Sequence, residues 1–219
     1  GNDNSSNPEK YYISTNTIQL SNPTKDGYTF VGWTFEGQDD PQLVVKIEKG
    51  SFGNKHFIAN WVATKYNITY NLNGGEAISN LQSYNIETNS FKINNPTRKG
   101  YLFLGWTGEQ NQYPNKNIWI EKGTTGDKTY SANWETIEYN IYYNLNGGKV
   151  ESNVKTYNIE TNNIQLKQPT KENYVFLGWV EEGKTKVQKD VVIKKGTTGD
   201  KVYTATWEPE KYSISYETN

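Results

Sequence analysis

The sequence contains no cysteine, no methionine and a single histidine among its 219 residues. Without cysteine the chain can form no disulfide, and one histidine, His56, cannot build a metal site of the His/Cys type. The acidic residues lack the spacing of a calcium-binding loop. Nucleophilic catalysis needs a base beside the nucleophile, and His56 has no equivalent elsewhere in the chain. We therefore predict no catalytic residue, no metal and no cofactor, and expect that the chain is not an enzyme.

An excess of charge of one sign and long apolar runs are also missing. The chain has 23 Lys and Arg residues against 24 Asp and Glu residues, so its formal net charge is −1. This balance lacks the basic excess that binding to nucleic acid through phosphates requires. No apolar stretch is long enough for a membrane helix or a signal peptide, so we predict no membrane insertion and expect an interior fragment or a mature region. The lack of cysteine fits an exported bacterial protein, but cytosolic chains can share it.

Aromatic residues are abundant, and they recur at a fixed interval of 73 residues. The sequence Tyr101-Leu102-Phe103-Leu104-Gly105-Trp106 has counterparts at residues 28–33 and 174–179, each after a Pro-Thr-basic turn. Such a period indicates a tandem array of three modules. The loops have equal length in every copy, so no copy carries an inserted active-site loop, which weighs against an enzyme. The recurring aromatic side chains are predicted to form the core of each module; in the second copy they are Tyr84, Tyr101, Phe103, Trp106, Tyr130 and Trp134.

The period also predicts the module boundaries. They are residues 1–63 for the first repeat, 66–136 for the second and 139–209 for the third, with residues 210–219 as the first strand of a further repeat. The first repeat lacks this strand. The four-residue joins between modules are too short for free swivelling.

Alternation of apolar and polar residues predicts a mainly β fold, α+β at most. Residues 66–72 alternate strictly, end at an Asn-Gly-Gly turn and should return through residues 83–86 as a hairpin. Residues 101–106 are apolar on both faces and predict a central strand, and residues 107–117 a surface loop. Residues 118–120 should pair with residues 129–134 across the Gly-Thr-Thr-Gly-Asp turn at residues 123–127. A strand rather than a helix follows this turn, so it is not a phosphate-binding loop.

These motifs together resemble the Listeria-Bacteroides repeat, also called the internalin B-repeat type. The resemblance rests on a strand ending in Asn-Gly-Gly, then Pro-Thr-Lys/Arg-x-Gly-Tyr-x-Phe-x-Gly-Trp, then a Tyr-x-Ala-x-Trp strand; it covers nearly all of each period. The third copy departs from it by Asn173 in place of glycine, and the first by Phe57 in place of tyrosine. The resemblance implies small β-grasp-like modules in an elongated array, on an extracellular protein of the bacterial cell surface or cell wall. A β-grasp helix would fall near residues 87–93, where helix-forming residues are few.

Two functions remain open from the sequence. The first is a non-enzymatic stalk or spacer of a cell-surface protein that contributes to adhesion. The alternative is an adhesive module that binds a glycan, a host-surface protein or a cell-wall polymer. Aromatic residues that occur in one copy only are its candidate contacts; these are Trp119, Tyr113, Phe35 and Phe52.

The phase of the repeat suggests one further partner, a second copy of the chain. If the strand at residue 66 opens its own repeat, the first repeat has an unfilled strand position that Tyr212–Tyr216 of another copy could fill. Chains would then exchange strands from head to tail. The alternative is that this strand completes the preceding repeat and leaves no position open.

Overall fold

A computed structural model describes residues 6–76, 79–108 and 111–218, with the side chain of residue 111 excepted. Within these residues the chain contains strands and turns but no helix. The prediction of a mainly β chain is therefore confirmed. The segment proposed for a β-grasp helix forms the end of a turn and a short strand instead, and in the turn the Thr88 amide donates to the Asn85 carbonyl at 3.1 Å. The structure does not confirm a β-grasp module.

The described residues form eighteen strands. The strands of the first repeat are β1 (Ile18–Gln19), β2 (Tyr28–Phe35), β3 (Gln38–Gln42), β4 (Lys46–Ile47) and β5 (Phe57–Ala63). Those of the second are β6 (Tyr66–Asn71), β7 (Ser83–Tyr84), β8 (Phe91–Lys92), β9 (Tyr101–Gly108), β10 (Asn111–Asn115), β11 (Trp119–Ile120) and β12 (Lys128–Thr136). Those of the third are β13 (Tyr139–Asn144), β14 (Thr156–Tyr157), β15 (Ile164–Gln165), β16 (Tyr174–Glu181), β17 (Val192–Ile193) and β18 (Lys201–Pro209).

Contacts between Cα atoms divide the chain into two compact units. The first consists of Gly1–Leu72, Ala77–Asn95 and Trp106–Ala132. The second consists of Asn73–Glu76, Pro96–Gly105 and Asn133–Asn219.

The larger sheet of the third repeat has the order β14-β13-β18-β16. Strand β13 runs parallel to β18, with Ile141 opposite Lys201, and antiparallel to β14. Strand β16 pairs antiparallel with β18. Strand β13 is therefore an inner strand of a sheet whose other strands, β14, β16 and β18, all follow it along the chain.

The second repeat uses the same arrangement, and the described residues of the first form only part of it. The order in the second repeat is β10-β9-β12-β6-β7, with β6 parallel to β12. The first repeat has only β3-β2-β5 among the described residues. The strand beginning at Tyr66 thus pairs with β12, which follows it along the chain.

A second, two-stranded sheet occurs in each repeat, and it corrects one prediction. Strand β11 pairs with β8, with Trp119 opposite Lys92, and not with residues 129–134. The hairpin predicted across residues 123–127 was wrong because this turn links two different sheets. Two residues of the five-stranded sheet hold this turn: the Tyr84 hydroxyl donates to the Gly126 carbonyl at 2.5 Å, and the Asn67 amide donates to Asp127.

Residues 107–117 were also interpreted incorrectly, because part of this predicted loop is strand β10. Its polar sequence hides the strand: β10 pairs with β9 at Asn111 and Asn115, and the register shifts between them. The corresponding strand β3 pairs with β2 in the same irregular way.

The tryptophan that ends each Gly-Trp pair is the centre of the core. Trp33, Trp106 and Trp179 are at most 5% exposed. In the third repeat Trp179 packs with Leu166 and Ile193, and the ring of Phe176 lies edge-on at 5.4 Å. The glycine before it is required because a Cβ on Gly178 would lie 2.7 Å from the backbone of Gln188, at a φ of 149°.

Candidate functional site

The join between the first and second repeats is the first surface of interest. Gly27 lies directly beneath Ile86, so a Cβ on Gly27 would lie 3.0 Å from the Ile86 Cβ. The Gly27 carbonyl accepts a hydrogen bond from the Thr64 amide at 2.9 Å. The Tyr28 hydroxyl donates to the Glu87 carboxylate at 2.9 Å. The join therefore combines close packing, a backbone hydrogen bond and a charged hydrogen bond.

The join between the second and third repeats repeats these contacts. A Cβ on Gly100 would lie 2.8 Å from the Ile159 Cβ. The Ile137 amide donates to the Gly100 carbonyl at 3.0 Å, and the Tyr101 hydroxyl donates to Glu160 at 2.6 Å. Two joins along the chain thus use the same residue types at the same positions.

A basic residue in the Pro-Thr-basic turn supports each join tyrosine. The Lys25 ammonium lies 3.7 Å from the centre of the Tyr28 ring, and the Arg98 guanidinium lies 3.6 Å from that of Tyr101. Such contacts are attractive because a cation faces the electron-rich ring surface. The hydrogen bond to glutamate is the main reason why the pKa of each tyrosine hydroxyl lies above its ordinary value.

The third and first repeats each differ from the join sequence at one position. The third repeat has Asn173 where the first two have glycine, at a φ of 59°. The first repeat has Ser14 where the others have a glutamate, and its Ile13, equivalent to Ile86, is 66% exposed. The Lys171–Tyr174 contact is kept at 4.0 Å, as is the hydrogen bond from the Glu210 amide to the Asn173 carbonyl.

Sequence reasoning missed the join residues, although a signal was present. The sequence Ile-Glu-Thr-Asn is identical at residues 86–89 and 159–162 and changes in the first copy. An exposed glutamate that recurs without a structural partner inside its own module points to a contact with a neighbouring module. The tyrosine at position 101 was assigned to the core, but its hydroxyl serves the join.

A second surface of interest is a cleft beside β5 in the first repeat, with a volume of about 760 Å³. Tyr11, Ile18, Trp33 and Phe57 line the cleft. In the second and third repeats β6 and β13 lie at this position.

Two aromatic side chains beside this cleft are less buried than their equivalents in the other repeats. Tyr84 and Tyr157 are 5% and 4% exposed, whereas their equivalent Tyr11 is only half-buried. Tyr130 and Tyr203 are likewise buried, and the equivalent Phe57 is half-buried. The surroundings are nevertheless in place, because the Tyr11 hydroxyl donates to the Gly53 carbonyl at 2.5 Å, as Tyr84 does to Gly126.

The four predicted ligand contacts differ in exposure. Trp119, Tyr113 and Phe52 are 56%, 84% and 81% exposed. Phe35 packs edge-on against Phe57 at 5.5 Å and joins the core of the first repeat. The single histidine, His56, is exposed and lies on the rim of the cleft.

In the described part of the chain, no group of three or more His, Asp and Glu side chains could hold a metal ion. Among the same residues, no helix is long and apolar enough to cross a membrane.

Three similar modules, identical joins and an all-β architecture define a tandem-repeat protein. The sequence profile of the Listeria-Bacteroides repeat domain matches residues 1–49, 66–133 and 139–205. The chain belongs to this family, which confirms the resemblance seen in the sequence.

Two longer proteins of Evansella cellulosilytica are similar to the chain. One, named "Putative Gly-rich membrane protein", is 28% identical over 212 residues, which cover 95% of this chain and 24% of that protein. The other, named "Putative membrane protein", is 27% identical over 164 residues, which cover 74% of this chain and 24% of that protein. The chain thus spans about a quarter of the length of these relatives. No solved structure matches the chain significantly.

Proposed function

We propose that the chain is a non-enzymatic spacer of a bacterial cell-surface protein, in which each repeat is held at a set orientation to the next. The observation that carries this proposal is the repetition of one join. Gly27 and Ile86 form it with Tyr28 and Glu87, and the equivalent residues form it again 73 residues later. A linker that only tethers independent domains has no reason to repeat such contacts.

The geometry of the connections favours the same function. Two residues separate β5 from β6, and two separate β12 from β13. A connection this short, bridged by a packed isoleucine and a tyrosine–glutamate hydrogen bond, allows little independent rotation. Stability in such an array is the sum of module terms and neighbour terms, so the joins also stabilise the modules.

The placement at the cell surface rests on the family and on the relatives. Both relatives are named as membrane proteins, and each is about four times as long as the matched segment. We infer that the repeats lie outside the cell and separate other parts of a longer protein. Localisation of the full-length protein by protease accessibility on intact cells tests this part.

The spacer function is tested by measuring distances between modules. The chain has no cysteine, so spin labels can be attached at the exposed and equivalent positions Lys49, Lys122 and Lys195 after substitution by cysteine. Spacers with equal joins should give two narrow distance distributions with the same mean for the pairs 49/122 and 122/195. Broad distributions, or different means, would contradict the proposal.

Adhesion is the second candidate function, and the exposure of Trp119 and Tyr113 favours it. An exposed tryptophan offers a flat apolar face on which a sugar ring can stack. A glycan array tests it directly. Binding that is lost in Trp119→Ala, with unchanged thermal stability, would support adhesion; an array without signal would leave the spacer as the sole function proposed.

A further inference from the structure

We propose that the second and third repeats resist a pulling force along the chain, because the first and last strands of each repeat are paired side by side in parallel. The sheet order places β6 beside β12 in the second repeat and β13 beside β18 in the third. This proposal rests on the proposed spacer function, since a spacer between parts of a longer protein transmits any force that acts on them.

The direction of the force decides how the paired strands are loaded. Force enters the third repeat at the start of β13, at Tyr139, and leaves it at the end of β18, at Pro209. Parallel strands that are pulled at opposite ends slide along each other, so the hydrogen bonds between them must break together. The same strands pulled apart sideways separate one bond at a time. The parallel pairing therefore gives its greatest resistance in the direction in which a spacer is stretched.

The pairing has the same length and register in both repeats. In the third repeat it runs from Ile141 opposite Lys201 to Asn144 opposite Thr204. The second repeat has four pairs at the equivalent positions, 73 residues earlier. Two modules in series therefore meet the force with the same set of paired positions.

A charged hydrogen bond extends the pairing at its start. One position before the first pair of the third repeat, the Asn140 amide donates to the Asp200 carboxylate at 2.8 Å. At the equivalent place in the second repeat, the Asn67 amide donates to the Asp127 carboxylate at 2.7 Å. Hydrogen bonds to a charged acceptor are stronger than those between neutral groups. The bond nearest to the point where force enters each repeat is therefore a strong one.

Two more hydrogen bonds continue the pairing past its last pair in the third repeat. The Trp207 indole N–H donates to the Leu145 carbonyl at 3.0 Å, and the Asn146 side-chain amide donates to the Ala205 carbonyl at 2.9 Å. Tyr203 and Ala205 of β18 are at most 3% exposed, so the core shields one face of the pairing from water. Water replaces a broken hydrogen bond only where it can reach the groups, so this shielding slows rupture.

Pulling one repeat of the full chain in two directions tests the proposal. The chain has no cysteine, so two introduced cysteines fix the points at which DNA handles for optical tweezers attach. The exposed pair Glu138→Cys and Glu210→Cys flanks β13 and β18 and loads their pairing along the strands. The exposed pair Tyr142→Cys and Glu182→Cys loads the same pairing sideways. This is because Tyr142 lies opposite Val202, and the Glu182 amide donates to the Val202 carbonyl.

At one loading rate, the rupture force along the strands should be several-fold higher than the rupture force sideways. The reason is that the four paired positions open together in the first case and in turn in the second. Urea denaturation checks that both variants have the same free energy of unfolding; forced rupture follows the unfolding rate, so the two directions can differ at equal stability. Equal rupture forces would overturn the proposal. They would leave the spacer function standing, because the distances between modules test it separately.

A substitution at the start of the pairing tests the residues that carry it. In the variant pulled along the strands, Asp200→Ala removes the acceptor of the Asn140 amide and should lower the rupture force. Asp190→Ala is the matched control: this exposed carboxylate accepts from the Gln168 side chain at 3.1 Å, outside the β13–β18 pairing, so the rupture force should stay the same. An equal effect of the two substitutions, or none from Asp200→Ala, would count against the proposal.

Discussion

Replacement of Gly100 by alanine should weaken the join between the second and third repeats more than its backbone conformation alone explains. Gly100 has a φ of 76°, and this conformation costs a residue with a Cβ roughly 1–2 kcal/mol. The added Cβ would also lie 2.6 Å from the Ile159 Cδ1 and 2.8 Å from its Cβ. Overpacking of this kind costs roughly 1–3 kcal/mol more. We therefore expect Gly100→Ala to lower the free energy of unfolding by roughly 2–5 kcal/mol.

Gly183 supplies a matched control for the backbone term. Its φ is 74°, and a Cβ added there meets no atom within 4 Å. Gly183→Ala therefore carries the same conformational cost without the clash. Both substitutions reduce the freedom of the unfolded chain equally, so this effect cancels in the comparison.

Urea denaturation followed by tryptophan fluorescence measures both variants, and a double-mutant cycle identifies the cause. Ile159→Ala should cost less in the Gly100→Ala background than in the wild type, because it removes two of the three Ile159 atoms closest to the new Cβ, Cδ1 and Cγ2. Equal losses in Gly100→Ala and Gly183→Ala would refute the packed join, and with it the main argument for a spacer.

Three further predictions concern single modules. Burial raises the pKa of Tyr84 and Tyr203 to about 12, above an ordinary value of 10.0. As pH rises, these tyrosines lose their protons in the unfolded chain before they do so in the folded chain. The free energy of unfolding should therefore be constant below pH 10 and then fall by about 1.4 kcal/mol per pH unit for each tyrosine up to pH 12. Urea denaturation at several pH values measures this fall. Ile141→Ala should cost roughly 2–4 kcal/mol in thermal or urea unfolding, and its exposed neighbour Tyr142→Ala under about 1 kcal/mol. Burial by itself raises the pKa of Glu181, but hydrogen bonds from two lysines outweigh it and lower the pKa below its ordinary value. Glu181→Gln should therefore cost up to about 1 kcal/mol at neutral pH, and its difference from the wild type should vanish as acid protonates the carboxylate.

The repeat and its strands could be predicted because they depend on local patterns. The alternation at residues 66–72 and the Gly-Trp motif each indicate which side chains of a strand face the core. The core tryptophans could be predicted because they recur in every repeat. The family assignment came from the same motifs.

Pairing between distant strands could not be predicted in this way. The sequence suggested that β11 would pair with the strand that follows it, since short turns normally join adjacent strands. Strand β11 instead pairs with β8. Strand β12 pairs in parallel with β6, and the paired residues are sixty positions apart in the sequence. Such choices depend on which sheet buries the most apolar surface, and a single sequence does not contain that comparison.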